Sequence, residues 1–140
     1  MFVKQLSIFL ENREGRLEEA LKILKDNDIN IISLSLADTS DFGLLRLIVN
    51  DPEKAKQVLR ENRFSSQLGD IIAIRISHTV GSLSKVLSAV TEAGINIEYM
   101  YTLSVGVEGA SLALKTSDLE RAIGVIGEQE VHIYTQAQLA

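Results

Sequence analysis

Two short stretches hold the residues best suited to act on a small molecule: "ENREGRL" (residues 11–17) and "SHTVGSL" (residues 77–83). Each sets a glycine, Gly15 or Gly81, directly before an apolar stripe with helical spacing. The start of a helix presents N–H groups without partners and the positive end of its dipole, which suits a carboxylate. Glycine at that point leaves no side chain to hold a ligand off the backbone. Asn12 and, further on, Asn30 each carry a donor and an acceptor for polar groups of a ligand. This is binding chemistry. Catalytic chemistry is poorly served: there is no cysteine, His78 and His132 are far apart in the sequence, and neither HExxH, GxSxG nor a phosphate-binding loop occurs. No acidic pair recurs at a loop position in both halves, so the chain is read as non-catalytic, with no cofactor and no metal site.

The elements that position these stretches are written twice. Residue i set beside residue i+66 pairs Gly15 with Gly81, Leu17 with Leu83, Leu21 with Leu87, Ile29-Asn30-Ile31 with Ile95-Asn96-Ile97, and Gly43 with Gly109. Beyond that point an offset of 67 pairs Leu45 with Leu112, Leu47 with Leu114, Asp51 with Asp118 and Ala55 with Ala122, as one inserted residue near the second hairpin would produce. A series in register is the mark of an internal duplication.

Each copy has the same local grammar. Leu6, Ile8 and Leu10 alternate, as do Ile72, Ile74 and Ile76, which predicts half-buried strands. Leu17, Ala20, Leu21 and Leu24 recur at i, i+3, i+4, i+7, matched by Leu83, Val86, Leu87 and Val90, which predicts amphipathic helices. Gly94 and Asp28 stand where a left-handed helix end is wanted. "NIISLSLAD" and "GLLRLIVN" predict a hairpin, as do "NIEYMYTLSV" and "GASLALKT". Asp51-Pro52 predicts a capped second helix, and Ser117-Asp118-Leu119-Glu120 a capping box. Short final strands are expected around 64–68 and 131–134. Each half is therefore βαββαβ, an α+β, ferredoxin-like unit with an antiparallel sheet and its helices on one face. The domains expected are 1–69 and 70–140.

Fold alone assigns no function; the loops narrow it. "ENREGRL" resembles the xNxPGxL segment of ACT domains, the small-molecule-sensing regulatory modules of amino-acid metabolism, and "INI" resembles the ACT signature at the start of the second strand. Nearly the whole chain is covered, twice, and it is similar to a tandem-ACT family of stand-alone proteins in which stretches like "ADTSDFGLLRLIV", "DPEKA" and "GINIEYMY" recur. The resemblance implies that a free amino acid or similar small carboxylate is held at an interface between ACT units, where the strand-to-helix loop of one unit faces the sheet edge of another. By position it assigns Asn12, Gly15, Leu17, Asn30 and Ile31 to the ligand set of the first half, and Gly81, Ser82, Leu83, Asn96 and Ile97 to that of the second, with His78 where Asn12 stood. Glu14 and Arg16 flank the first loop. Glu14 and Val80 replace the family's proline, so these loops are less pre-set.

Every one of these residues has a structural reading beside the functional one. Asn12 is a ligand donor or a helix cap. Asn30 and Asn96 bind ligand or only hold the turn into the strand. Glu14 and Arg16 touch ligand or are surface charge, and His78 is a pocket residue or a solvated one. His132 is read as structural.

The totals set the class. Of 140 residues, 46% are hydrophobic and 24% charged, which fits a globular domain, and the net charge of -5 disfavours nucleic acid as a partner. No apolar run has the roughly 20 residues of a membrane span, and "MFVKQLSIFL" is too interrupted for a signal peptide. A cytoplasmic regulator acting on a separate enzyme or regulatory protein is the expectation, with an amino-acid-free protein-interaction module as the alternative. A homodimer is expected. Through Asp70 the chain carries 10 basic and 12 acidic residues, and beyond it only 4 and 7. That depletion predicts subunit contact through the second half.

Overall fold

The computed structural model describes residues 2–38, 41–77, 79–104 and 109–139. The chain forms two compact units, one of Lys4–Gly69 and one of Asp70–Leu139 that also takes in the residues up to Val3. The first contains β1 (Val3–Glu11), α1 (Arg16–Asp26), β2 (Ile31–Asp38), β3 (Phe42–Val49), α2 (Pro52–Glu61) and the opening of β4 (Ser65–Ile76). The second contains the rest of β4, then α3 (Ser82–Glu92), β5 (Ile97–Leu103), β6 (Ala110–Thr116), α4 (Leu119–Gly127), β7 (His132–Ile133) and α5 (Gln136–Leu139). The βαββαβ order thus occurs twice, as the repeat predicts.

In the first unit the strand order is β2-β3-β1-β4. Antiparallel pairing sets Leu6 beside Leu47 and Ile8 beside Leu45, and Leu36 beside Leu45. Period two then turns Leu6, Ile8 and Leu10 to one face, where they meet Leu24 of α1 and Val58 and Leu59 of α2 in one core. In the second unit the order is β4-β6-β5, with Ile72 beside Leu114 and Ile74 beside Leu112. There β7 lies on the other edge of β4, where Ile74 also pairs Ile133. Ile72, Ile74 and Ile76 pack with Val86 and Val90 of α3 and Ile126 of α4.

Helix ends follow the residues that make them. Asp51 accepts from the Lys54 N–H at 3.2 Å and Pro52 begins α2. Asp28 and Gly94 both take the left-handed conformation that ends the first helix of each unit, with φ of 57° and 75°. The start of α4 differs from the expected capping box. Asp118, not Ser117, is the cap, accepting from the Arg121 N–H at 3.1 Å. Ser117 instead accepts from the Asn96 N–H at 3.0 Å.

Two further differences concern strands. The pieces expected at 64–68 and 71–77 are one 12-residue strand, β4. Only Gly69 and Asp70 lie between them, and neither has positive φ, so extended backbone runs on. The last strand has only two residues and is followed by α5. Gln138 folds back there, accepting from the Thr135 N–H at 2.8 Å, and Leu139 is buried.

Among the described residues the exposed large apolar side chains are Phe9, Leu34, Leu36, Phe42 and Val80. Of these, Phe9, Leu34, Leu36 and Phe42 belong to the first unit. These four side chains are on its strands. No helix of the described residues is long and apolar enough to cross a membrane.

Candidate functional site

The two strand-to-helix loops have the same backbone. Gly15 and Gly81 are the N-cap residues of α1 and α3, with φ of 80° and 85°, and neither helix start has a side-chain cap. A residue in the usual extended N-cap conformation would direct its own oxygen onto the first-turn N–H groups. A left-handed glycine does not. By contrast α2 and α4, the second helices of each unit, are capped by Asp51 and Asp118. A Cβ added to Gly15 or Gly81 would meet nothing within 4 Å, so the glycines answer to φ and leave open space over the helix start. The Asn12 backbone N–H donates to the Asp41 carbonyl at 3.2 Å, and the residue is exposed. Glu14 is exposed at the loop tip. Leu17 and Leu83 are half-buried against the two cores.

Beyond the shared backbone the loops diverge. In the first, the Arg16 guanidinium lies 3.8 Å from the centre of the Phe64 ring and donates to Glu19 at 3.2 Å. Its side chain is only 12% exposed, and its Nε is buried with no acceptor. Arg16 is thus folded onto its own unit, closing the space between the start of α1 and the junction that follows α2. Neighbouring Arg13 and Glu11 form an exposed pair at 3.1 Å.

In the second, Ser82 replaces Arg16 and the equivalent space is open. Ser77, Thr79 and Ser82 form a hydroxyl cluster, with Ser77 Oγ 2.8 Å from Ser82 Oγ and 3.1 Å from Thr79 Oγ1. These three line a cleft of about 380 Å³ with Lys85 on the same side, Glu128, Gln129 and Glu130 opposite, and Ile76, Val86 and Val131 between. That volume lies at the lower end of the ~300–1,000 Å³ range of small-molecule pockets. A larger hollow of about 820 Å³ runs along α2, but its described lining is one charged helix flank, Glu53 to Glu61, without a second wall. It does not carry the site.

Asn30 and Asn96 lie elsewhere in their units. Asn12 is level with Asp41 before β3, whereas the Asn30 N–H donates to Asn50 Oδ1 at 2.9 Å just after β3. The 8 residues of β3 lie between these two points, and at about 3.3 Å per residue step they put the two asparagines roughly 30 Å apart within the unit. Asn96 is held the same way by Ser117. Ile31 and Ile97, next in the chain, are half-buried against the cores. One small ligand within one unit therefore reaches the glycine loop or the second-strand start, not both.

His78 falls outside the described residues. His132 contacts Gln138 at 3.2 Å and stands edge-on to Tyr134, ring centres 5.0 Å apart. Sequence reasoning gave no separate role to Ser77 or Thr79, and none in a site to Lys85 or the acidic turn after α4. The repeat held part of the signal: Arg16 stands against Ser82 and Glu19 against Lys85, between the matched pairs Gly15–Gly81, Leu17–Leu83 and Leu21–Leu87.

The comparisons agree with this architecture. The family model described as "ACT domain pair" matches residues 1–140. A solved structure from Bacteroides thetaiotaomicron is 38% identical, covers 99% of this chain and 96% of its own, and has a TM-score of 0.92. The regulatory subunit of aspartate kinase from Thermus thermophilus, in ligand-free form, is 13% identical with a TM-score of 0.62 over 89% of this chain and 90% of its own. That from Thermus flavus is 16% identical, with a TM-score of 0.61 over 89% and 90%. No curated protein matches at a significant level. With the family model spanning its full length and a 38% identical structure covering nearly all of it, the chain belongs to the ACT domain pair family.

Proposed function

We propose that the chain is a non-catalytic sensor, a cytoplasmic homodimer that binds a free amino acid or similar small carboxylate at a strand-to-helix loop and regulates a separate enzyme or regulatory protein. The observation that carries this reading is the selective absence of side-chain caps. Both loop helices begin at a left-handed glycine without one, while both second helices begin at a capping aspartate. An uncapped start leaves first-turn N–H groups and the dipole for an external carboxylate. Regulation follows if the ligand favours one state of the protein, shifting it by no more than the ligand's differential affinity.

Isothermal titration against the twenty amino acids, with candidates chosen by thermal shift, tests it. A saturable, specific interaction between about 1 μM and 1 mM, or about -8 to -4 kcal/mol, is expected. Absence of heat and of any thermal shift with every amino acid sinks it. The alternative, a protein-interaction module that binds no amino acid, is favoured by one observation: Phe9 and Phe42 are both about half exposed on strands of the first unit. Capture of a partner enzyme whose activity changes without any added amino acid would support that reading instead.

A further inference from the structure

We propose that the sheet face of the first unit around Phe9, Phe42 and Leu44 docks a short, uncharged segment of a separate protein, anchored by a phenylalanine ring. This surface rests on the reading of the chain as a regulator of a separate protein, and not on amino-acid binding.

Leu6, Ile8 and Leu10 turn toward the helices, so Phe9 lies on the opposite face of β1. It pairs with Leu44, and Glu11, the next residue on that face, pairs with Phe42. Leu44 pairs in turn with Ala37 of β2. Cross-strand neighbours of this kind lie within roughly 5–8 Å, so the four apolar side chains form one patch. Phe9 and Phe42 are 45% and 58% exposed, Ala37 is exposed and Leu44 half-buried. Toward the far end of the same face Val3, Gln5 and Ile48 are buried, so the apolar surface is confined to one end. Charge beside it is already used. Glu11 and Arg13 pair with each other at 3.1 Å, and Arg46, next on this face of β3, is half-buried with an interaction of its own. A charged segment therefore gains little here over a neutral one.

The second unit shows how the equivalent place is filled. Past Ile133 the chain continues into Tyr134, whose N–H donates to the Ala73 carbonyl of β4 at 2.8 Å. The Tyr134 hydroxyl lies 2.8 Å from Ser111 Oγ on β6. Tyr134 thus crosses β4 on the face away from the helices, and it is buried, as are Ala73, Ala113 and Ser111. In the repeat Ser111 corresponds to Leu44 and Tyr134 to Gln67. Gln67 is exposed, and the chain runs on there as β4 instead of folding back. The first unit has glutamine where the second has its covering ring. Leu44 in place of Ser111 also sets the anchor, since a tyrosine hydroxyl would find no partner there and a phenylalanine needs none.

Area selects a segment over a second subunit. Two half-exposed rings leave roughly 200 Å², and with Leu44 and Ala37 the patch reaches about 300 Å². A stable dimer takes about 800 Å² from each partner. A stretch the size of residues 131–139, uncharged apart from His132, matches the smaller figure.

The probe is a synthetic peptide of residues 131–140 carrying Tyr134→Phe, titrated into the full chain and compared with the unchanged peptide and a Tyr134→Ala peptide. Amide shifts are expected at Phe9, Ala37, Phe42 and Leu44, saturating by about 1 mM peptide. The unchanged peptide should bind several-fold more weakly, and the alanine peptide at least about tenfold more weakly. In the full chain Phe9→Thr with Phe42→Thr should weaken binding at least about tenfold. Both rings are already half in solvent, so circular dichroism and thermal unfolding should stay near wild type; the wild-type shift map stands independently of that variant. Shifts confined to β4, β6 and the C-terminal segment would show the peptide competing only with the chain's own Tyr134, and would overturn the docking face. No saturable shift with any of the three peptides would overturn it too. So would a wild-type dimer that the double variant dissociates, which would give the face to a second copy. Amino-acid titration tests the sensor reading separately, and none of these outcomes alters it.

Discussion

The guanidinium of Arg16 sits 3.8 Å from the centre of the Phe64 ring, so a cation at the start of α1 is held against the junction that follows α2. Two opposed effects meet in this contact. The cation–π interaction contributes roughly 0.5–2 kcal/mol. A positive charge at a helix start costs roughly 0.3–1 kcal/mol, and the unpartnered Nε adds to that cost. Arg16→Met keeps the packing stem and removes the charge, so it should change stability by no more than about 1 kcal/mol. Phe64→Ala removes a buried ring and should cost about 3–5 kcal/mol. Urea unfolding followed by circular dichroism measures both, and equal effects would show that the ring matters only through Arg16.

The glycines separate by what surrounds them. Gly15 and Gly81 have positive φ and open space, so Gly15→Ala or Gly81→Ala meets only the left-handed penalty of about 1–2 kcal/mol. Gly109 also has positive φ, and a Cβ there would run into the Ile76 carbonyl. Gly109→Ala should therefore be the most damaging of the three, beyond about 3 kcal/mol, because backbone rather than a rotatable side chain blocks it. Thermal unfolding of the three variants gives the order, and a Gly109→Ala protein as stable as the other two would contradict the geometry.

Most of this fold is legible in the sequence because burial and period decide it. Leu6, Ile8 and Leu10 against Leu24 and Leu59, repeated as Ile72, Ile74 and Ile76 against Val90 and Ile126, leave few arrangements in which all are buried. The Asp51 cap and the left-handed Asp28 and Gly94 are local chemistry and were equally readable. The site was less so. Asn12 and Asn30 look like partners in the sequence, but strand register sends them to opposite ends of β3. Lys85 and Glu130 are 45 positions apart, and only the packing of α3 beside α4 brings them to one cleft.

The junctions after β3 and β6 predict a separable pair of effects. Asp51 and Asp118 each cap a helix, so Asp51→Ala and Asp118→Ala should each cost about 1 kcal/mol, within the usual range of roughly 0.5–2. Asn50 and Ser117, one residue earlier, accept from the backbone N–H of Asn30 and Asn96. Asn50→Ala or Ser117→Ala should cost a similar amount but act on the entry to β2 or β5 rather than on helix content. Hydrogen exchange distinguishes them: faster exchange at Asn30 or Asn96 is expected for the second pair, and faster exchange in the first turn of α2 or α4 for the first. Identical exchange patterns from neighbouring substitutions would mean that cap and strand entry open as one.

Leu34 and Leu36 offer the last prediction. Both lie on β2, the edge strand of the first unit, paired with Leu47 and Leu45, yet they remain 52% and 48% exposed. An edge strand with apolar side chains and unpaired backbone groups is a ready surface for another chain. The homodimer proposed above should use it. Because both side chains are already half in solvent, Leu34→Lys with Leu36→Lys should leave each subunit folded while placing like charges in the contact. Light scattering at high and low protein concentration should find the wild type as a dimer and the double variant as a folded monomer. A wild type that is monomeric at high concentration removes the dimer, and a double variant that remains dimeric places the contact elsewhere.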